Sequence, residues 1–295
     1  MLTKPLGRTG LEIAEVGLGT WQYQGGAAPL RRGFEAGALF VDTAESYGSE
    51  ETVRDALAGM RDAVFIATKV SSENLRRENL LRSAEGSLRR LGVSHIDLYQ
   101  VHFPNPEIPI EETMETMEQL VDEGKIRYIG VSNFSLEQLI AARRATRKHP
   151  IVSIQVSYNL ANRDIENRLL GYCQTHGITV IAHSPLANDL SRITHRDSKG
   201  MLTRLSQETG RTIAQIAINW CLCQEDVVAI PKGNSVAHVI ENCAASGWRL
   251  SAEQTSLLDK EFAFQRRGRF GKLIRELVPD SLVPLAKRCV GMLSR

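Results

Sequence analysis

Eight short apolar runs alternate with longer amphipathic stretches along this chain. The runs are EVGLG, ALFVDT, AVFIATK, IDLYQVH, IRYIGVS, SIQVSYN, TVIAHS and DVVAIPK. Several are almost continuously hydrophobic, the pattern of parallel strands covered on both faces. Between them RENLLRSAEGSLRRLG, IEETMETMEQLVDEGK and TIAQIAINWCLCQ repeat apolar residues at helical spacing. Ser135 with Gln138, Thr212 with Gln215, and Ser251 with Gln254 fit capping boxes at helix starts. The opening TKPLGRTGLEIAEV reads as a short hairpin turning at Gly7 to Gly10.

Eight strands alternating with helices fit two architectures, a doubly wound sheet and a (β/α)8 barrel. The polar residues choose between them. Asp42, Lys69, His102, Asn133, Gln155, His183 and Lys232 each fall at or near the end of a different strand. Barrels collect their chemistry in this way, whereas open sheets concentrate it at one switch point after a glycine-rich loop. GLGTW after the first strand is no such loop and opens no helix. The expected fold is therefore an α/β class (β/α)8 TIM barrel with an N-terminal β-hairpin, spanning residues 1–265. Residues 266–295 read as a separate basic, amphipathic C-terminal tail.

Bulk composition narrows the function classes. The 295 residues suit one barrel, and 42% hydrophobic with 24% charged residues is ordinary for a soluble protein. A formal charge of +2 gives no argument for nucleic acid. MLTKPLGRTG lacks a signal-peptide core and no apolar run reaches membrane-spanning length. Five irregularly spaced cysteines read as reduced thiols, hence a cytoplasmic setting. Cys221 and Cys223 lie two apart on a helical stretch, so they face different ways and make a poor metal clip; no metal is expected.

Four strand-end residues carry the candidate chemistry: Asp42 and Tyr47 in LFVDTAESYGSEE, Lys69 in VFIATKV and His102 in DLYQVHFP. A carbonyl that accepts hydride develops negative charge on oxygen, which must be protonated or stabilised as it forms. Tyr47 can donate that proton. A free tyrosine has a pKa near ~10, and each unit of downward shift needs ~1.4 kcal/mol of preference for the phenolate. Lys69 would supply the preference as a nearby cation, Asp42 would anchor Lys69, and His102 would aim the substrate oxygen.

The ordered series GLGTW, VDTAESYGSEE, IATKV, DLYQVH, IRYIGVSNF, QVSYNL, SPL and IPKGNSVAHVIEN resembles the aldo-keto reductase superfamily from the hairpin to about residue 262. The resemblance implies the same four roles, and NADPH-dependent reduction of an aldehyde or ketone to an alcohol. It implies that Ser132, Asn133 and Gln155 hold the nicotinamide carboxamide. His183 falls where many members carry a stacking tyrosine, just before Ser184 and Leu186, which are expected to border the cofactor as well. Lys232 and Ser235 match positions that grip the 2′-phosphate, and Glu241 with Asn242 match an adenine-contacting pair. His238 stands where NADPH-preferring members have arginine; histidine lacks the guanidinium fork, so NADH is the second choice of cofactor. Trp21 matches a substrate-pocket aromatic.

Two features depart from the family. After SPL the chain reads ANDLSRITHRDSKG without the GLLTGK-like run of many relatives, which alters a loop expected to fold over the pyrophosphate. The tail sets Arg266, Arg267, Arg269, Lys272, Arg275, Lys287, Arg288 and Arg295 against only Glu276 and Asp280. Packing on the barrel, contact with an acidic partner or membrane surface, and fraying are its three readings. The tail also motivates a second functional class, a cofactor-binding regulatory subunit with little turnover. The expected partner is otherwise a small carbonyl compound, and the protein is expected to be a monomer or weak oligomer.

Overall fold

The computed structural model describes residues 1–263; the tail from residue 266 lies outside the described residues. Two antiparallel strands, β1 (Thr3–Pro5) and β2 (Glu12–Ala14), form the expected hairpin. Its connection places Gly7 and Gly10 at φ of +53° and +76°, a region that glycine enters without steric cost.

Eight parallel strands follow: β3 (Leu18–Gly19), β4 (Phe40–Asp42), β5 (Phe65–Val70), β6 (Ile96–Val101), β7 (Ile126–Ser132), β8 (Ile151–Ser157), β9 (Thr179–His183) and β10 (Val227–Ile230). Each pairs with its sequence neighbours, in the order β3 through β10. The first and last segments then meet: the Gly17 amide donates to Ala229 O at 2.8 Å, and the Ala229 amide donates to Glu15 O at 2.9 Å. This seam explains the glycines of EVGLG. A Cβ on Gly17 would lie 2.5 Å from the Phe40 ring, and one on Gly19 would lie 2.6 Å from Ile230 O. The ring of strands is a (β/α)8 barrel.

Side chains alternate across each strand, and this sorts the residues into two cores. Outward positions such as Ile66, Tyr99, Ile129 and Ile154 pack beneath the surrounding helices. Inward positions Phe40, Phe65, Ala67, Leu98, Ile181 and Val228 pack with Leu6 and Ile13 of the hairpin. The hairpin plugs one end of the barrel. The same inward rows turn polar toward the other end: Phe40 leads to Asp42, Ala67 to Lys69, Leu98 to Gln100, and Ile181 to His183. One end is dry and apolar, and the other is set up for chemistry.

The helices begin where the sequence places them. All three capping boxes, at Ser135, Thr212 and Ser251, are formed with both reciprocal hydrogen bonds. At the hairpin end the buried Asp97 accepts from the Ile66 amide at 2.9 Å and pairs with Arg61 at 3.1 Å and Arg127 at 3.0 Å. No helix among the described residues is long and apolar enough to cross a membrane.

Candidate active site

Asp42 ends β4, and the chain then turns through Glu45–Tyr47 into a helix over Glu50–Ala56. The turn is fastened on both sides. Glu45 Oε1 accepts from the Ser71 amide at 2.7 Å and from Asn74 Nδ2 at 3.0 Å. Ser49, Thr43 and Thr20 share a buried chain of hydroxyl contacts at 2.9 Å. The segment AESYG is thereby shaped to hang Tyr47 over the barrel mouth.

Lys69, on β5, is fully buried and donates to Asp42 Oδ1 at 2.5 Å and to Thr43 O at 2.7 Å. Burial pulls Lys69 below the ordinary lysine value, and the charge and hydrogen bond of Asp42 oppose that pull. The Lys69 ammonium sits 4.8 Å from the centre of the Tyr47 ring. Tyr47 Oη lies 3.2 Å from His102 Nε2. The four residues, from three chain segments, are thus brought into one cluster.

One expectation is corrected. Lys69 was expected to lower the Tyr47 pKa, yet Tyr47 is raised well above the ordinary tyrosine value, by burial first and then by the charge of Asp42. The cation's hydrogen bonds go to Asp42 and Thr43, so its field at the phenol is offset by the carboxylate it holds. Tyr47 therefore keeps its proton. His102 is pushed down to about 3, by burial, then Lys69, then His183. His183 is pushed down to about 4, by burial and then Lys69. Both imidazoles are neutral at pH 7.

Asn133 follows β7 at φ 61°, a region asparagine tolerates better than most residues. Its Nδ2 donates to His102 O and to Ser132 Oγ, both at 3.0 Å. Its Oδ1 lies 3.3 Å from His183 Nε2, while His183 Nδ1 lies 3.1 Å from Ser184 Oγ. Because an amide oxygen only accepts, His183 carries its proton on Nε2 and Nδ1 accepts from Ser184. Gln155, on β8, donates from Nε2 to Asp42 Oδ2 at 2.7 Å.

These groups line a cavity of about 710 Å³ at the polar end of the barrel. Trp21, Asp42, Tyr47, His102, Ser132, Asn133, Gln155, His183, Ser184, Leu186 and Lys232 all reach it. Gln22, Asn133, Ser184 and Asn188 line it with positive φ, so backbone strain gathers at this mouth. Ser235, His238, Glu241 and Asn242 do not line it. They belong to the helix Val236–Cys243 and its start, where Ser235 Oγ accepts from the His238 amide at 3.2 Å. Asn242 is buried and donates to Lys232 O at 3.3 Å, so it braces the backbone that carries Lys232.

The cavity also contains residues that the sequence reading missed. Phe103 is 49% exposed and stacks on His102 with ring centres 4.9 Å apart. Arg192 enters from the altered run after Leu186, where neither spacing nor motif marked it. Gln100, buried behind the cavity wall, donates to Asp42 Oδ2 at 3.0 Å. The signal for Gln100 was present: it lies two residues before His102, on the same inward row of β6.

A model of the aldo/keto reductase family matches residues 15–261. The chain belongs to this family. It is 34% identical over 262 residues to the methylglyoxal reductase YeaE of Escherichia coli (strain K12), covering 85% of this chain and 92% of that one. Among solved structures it is similar to a thermostable aldo-keto reductase in complex with the inhibitor epalrestat, at 41% identity and a TM-score of 0.82. That match covers 88% of this chain and all of the other. An aldo/keto reductase from Klebsiella pneumoniae in complex with NADP and acetate matches at 36% identity and a TM-score of 0.82, covering 90% of this chain and 96% of that one. Among the described residues no group of three His, Cys, Asp or Glu side chains is placed to hold a metal ion.

Proposed function

We propose that this aldo/keto reductase reduces an aldehyde or ketone to an alcohol with NADPH, with Tyr47 as the proton donor. The observation that carries the reading is the geometry of four side chains: Tyr47 Oη lies 3.2 Å from His102 Nε2, and its ring lies 4.8 Å from the ammonium of the buried Lys69–Asp42 pair. A phenol held in its acid form is the state that reduction requires.

The cavity suits a nicotinamide dinucleotide. Asp42 is the only acid among the described residues that line it and is already paired with Lys69, whereas Lys232 and Arg192 make no salt bridge among the described residues, Arg192 having Asp189 nearby. Net positive charge fits a polyanion. No described residue donates to Gln155 Oε1, which leaves an acceptor for a carboxamide N–H. Ser132, Asn133, Gln155, His183, Ser184 and Leu186 would surround the nicotinamide, and Lys232 with Ser235 and His238 would meet the adenosine phosphate. Glu241 and Asn242 would flank the adenine. NADPH, when bound, supplies the hydride.

The protein's own part is proton management and aim. His102, being neutral, can hydrogen-bond the carbonyl oxygen beside Tyr47 without competing as a stronger acid. Tyr47 releases its proton only as charge builds on that oxygen, and the Lys69 ammonium, 4.8 Å from its ring centre, would offset part of what burial costs the phenolate. Trp21 and Phe103 give the mouth an apolar rim for the substrate. The regulatory alternative drew on the segment 266–295, outside the described residues.

The test is to mix the protein with NADPH and a panel of carbonyls that includes methylglyoxal, and to follow NADPH absorbance. We expect turnover on at least one of them, and a roughly 10²-fold to 10⁴-fold loss in Tyr47→Phe with NADPH affinity retained. Unchanged turnover in that variant would remove Tyr47 from the mechanism.

A further inference from the structure

We infer that Gln100 is a positioning residue that couples the proton-donating pair to the amide expected to hold the cofactor. The inference rests on the proposed reductase reading. Gln100 is fully buried, does not line the cavity, and sits beside Lys69 in the register of β5 and β6. It cannot touch a substrate, so any effect it has is transmitted through its neighbours.

Those neighbours form a closed set. Asp42 Oδ1 accepts from Lys69 at 2.5 Å, and Oδ2 accepts from both Gln100 at 3.0 Å and Gln155 at 2.7 Å. The second Gln155 N–H approaches Gln100 Oε1 at 3.4 Å. Each amide orientation is fixed by the other: with Gln100 Nε2 on the carboxylate, its oxygen faces Gln155, and Gln155 must present nitrogen to both. Gln155 Oε1 is the part left for the cavity. A carboxylate buried this deeply depends on each of its donors, because no water replaces one that is lost.

The barrel makes room for this residue. A Cβ on Gly130 of β7 would lie 2.9 Å from Gln100 Cγ and 2.8 Å from Ser153 Oγ. An apolar side chain at position 100 would fill the space equally well, but it would leave Asp42 one donor short and Gln155 with an unpaired N–H.

The experiment compares wild type, Gln100→Leu and Gln100→Glu by steady-state kinetics between about pH 5 and 8 and by fluorescence titration with NADP⁺. Gln100→Leu is expected to lower kcat about tenfold at every pH, the worth of one hydrogen bond to a charged group, with carbonyl KM within about twofold. Its NADP⁺ affinity is expected to fall several-fold. In Gln100→Glu the introduced carboxyl can donate to Asp42 only while protonated. Its kcat should approach wild type at the acid end and fall progressively as that carboxyl ionises against Asp42.

A Gln100→Leu protein with wild-type kcat and wild-type NADP⁺ affinity overturns the inference, as does lost stability with kcat of the folded enzyme unchanged. Should Gln100→Leu not fold, a Gln100→Glu activity ratio to wild type that is flat across pH overturns it. A wild-type protein that turns over no carbonyl refutes the reductase reading instead; unchanged NADP⁺ affinity in Gln100→Leu then removes the coupling as well.

Discussion

Lys69 Nζ lies 4.8 Å from the centre of the Tyr47 ring while its hydrogen bonds go to Asp42 Oδ1 and Thr43 O. The cation is thus held beneath the phenol by partners other than the phenol. Burial and the charge of Asp42 hold Tyr47 in its acid form.

Breaking that pair should cost stability as well as rate. Lys69→Met leaves the Asp42 carboxylate buried without its counter-charge, and about 3–5 kcal/mol of unfolding free energy is expected to go. The double variant Lys69→Met, Asp42→Asn removes both charges and should recover most of the loss while remaining inactive. Urea unfolding of the set measures this. Additive losses in the double variant would mean that the pair is not coupled.

The acid limb of stability should come from the two imidazoles. The unfolded chain protonates histidine near ~6.5, whereas the native state resists until about 3 at His102 and about 4 at His183. Their folded values lie below the unfolded one, so stability is complete above ~6.5 and falls as pH drops toward 4. Each contributes at most ~1.4 kcal/mol per pH unit in that window, less for His102, which solvent partly reaches. The double variant His102→Gln, His183→Gln should flatten the urea midpoint between those pH values. The same values imply that the reductive rate has no limb near pH 6.5 from either imidazole, which a kcat/KM profile checks.

Asp97 offers a control at the opposite end of the barrel. It is buried and holds Arg61, Arg127 and the Ile66 amide. Asp97→Ala should destabilise by about 3–5 kcal/mol, because it strands a partly buried cation and an amide. The kcat/KM of the folded fraction should stay within about twofold, since no residue of this group lines the catalytic cavity. A large kinetic loss would show coupling along the barrel axis.

The parts legible in the sequence are those set by period and local chemistry. Strand-end position placed Asp42, Lys69, His102 and Gln155 at one end of the barrel before any coordinates. Capping boxes declared themselves because both partners lie within four residues. Protonation states were not legible. The Tyr47 pKa is set by burial first and by the Asp42 charge second, and neither the depth of the phenol nor its distance to the carboxylate can be read from residue types. Arg192 was invisible for another reason: it sits on a one-turn helix, Ser191–Thr194, too short for a period to tell inside from outside.

The phosphate contacts can be separated by comparing two cofactors. NADPH and NADH share the pyrophosphate and differ in the 2′-phosphate alone. Lys232 follows β10 at the cavity edge, next to the helix that carries His238, and its assignment to the 2′-phosphate predicts that Lys232→Ala weakens NADPH but spares NADH. Arg192 approaches from the β9 side, beside Leu190 and Asn188, and a pyrophosphate role predicts equal losses for both cofactors in Arg192→Ala. Each loss should be about tenfold, the worth of one charge-assisted hydrogen bond. His238→Arg adds a guanidinium that stays charged at every working pH, and should strengthen NADPH binding alone, by up to ~1 kcal/mol. Fluorescence titration of the three variants with both cofactors reads all of this at once. Parallel losses for NADPH and NADH in Lys232→Ala would take the 2′-phosphate away from Lys232, and a His238→Arg protein with unchanged NADPH affinity would place His238 out of its reach.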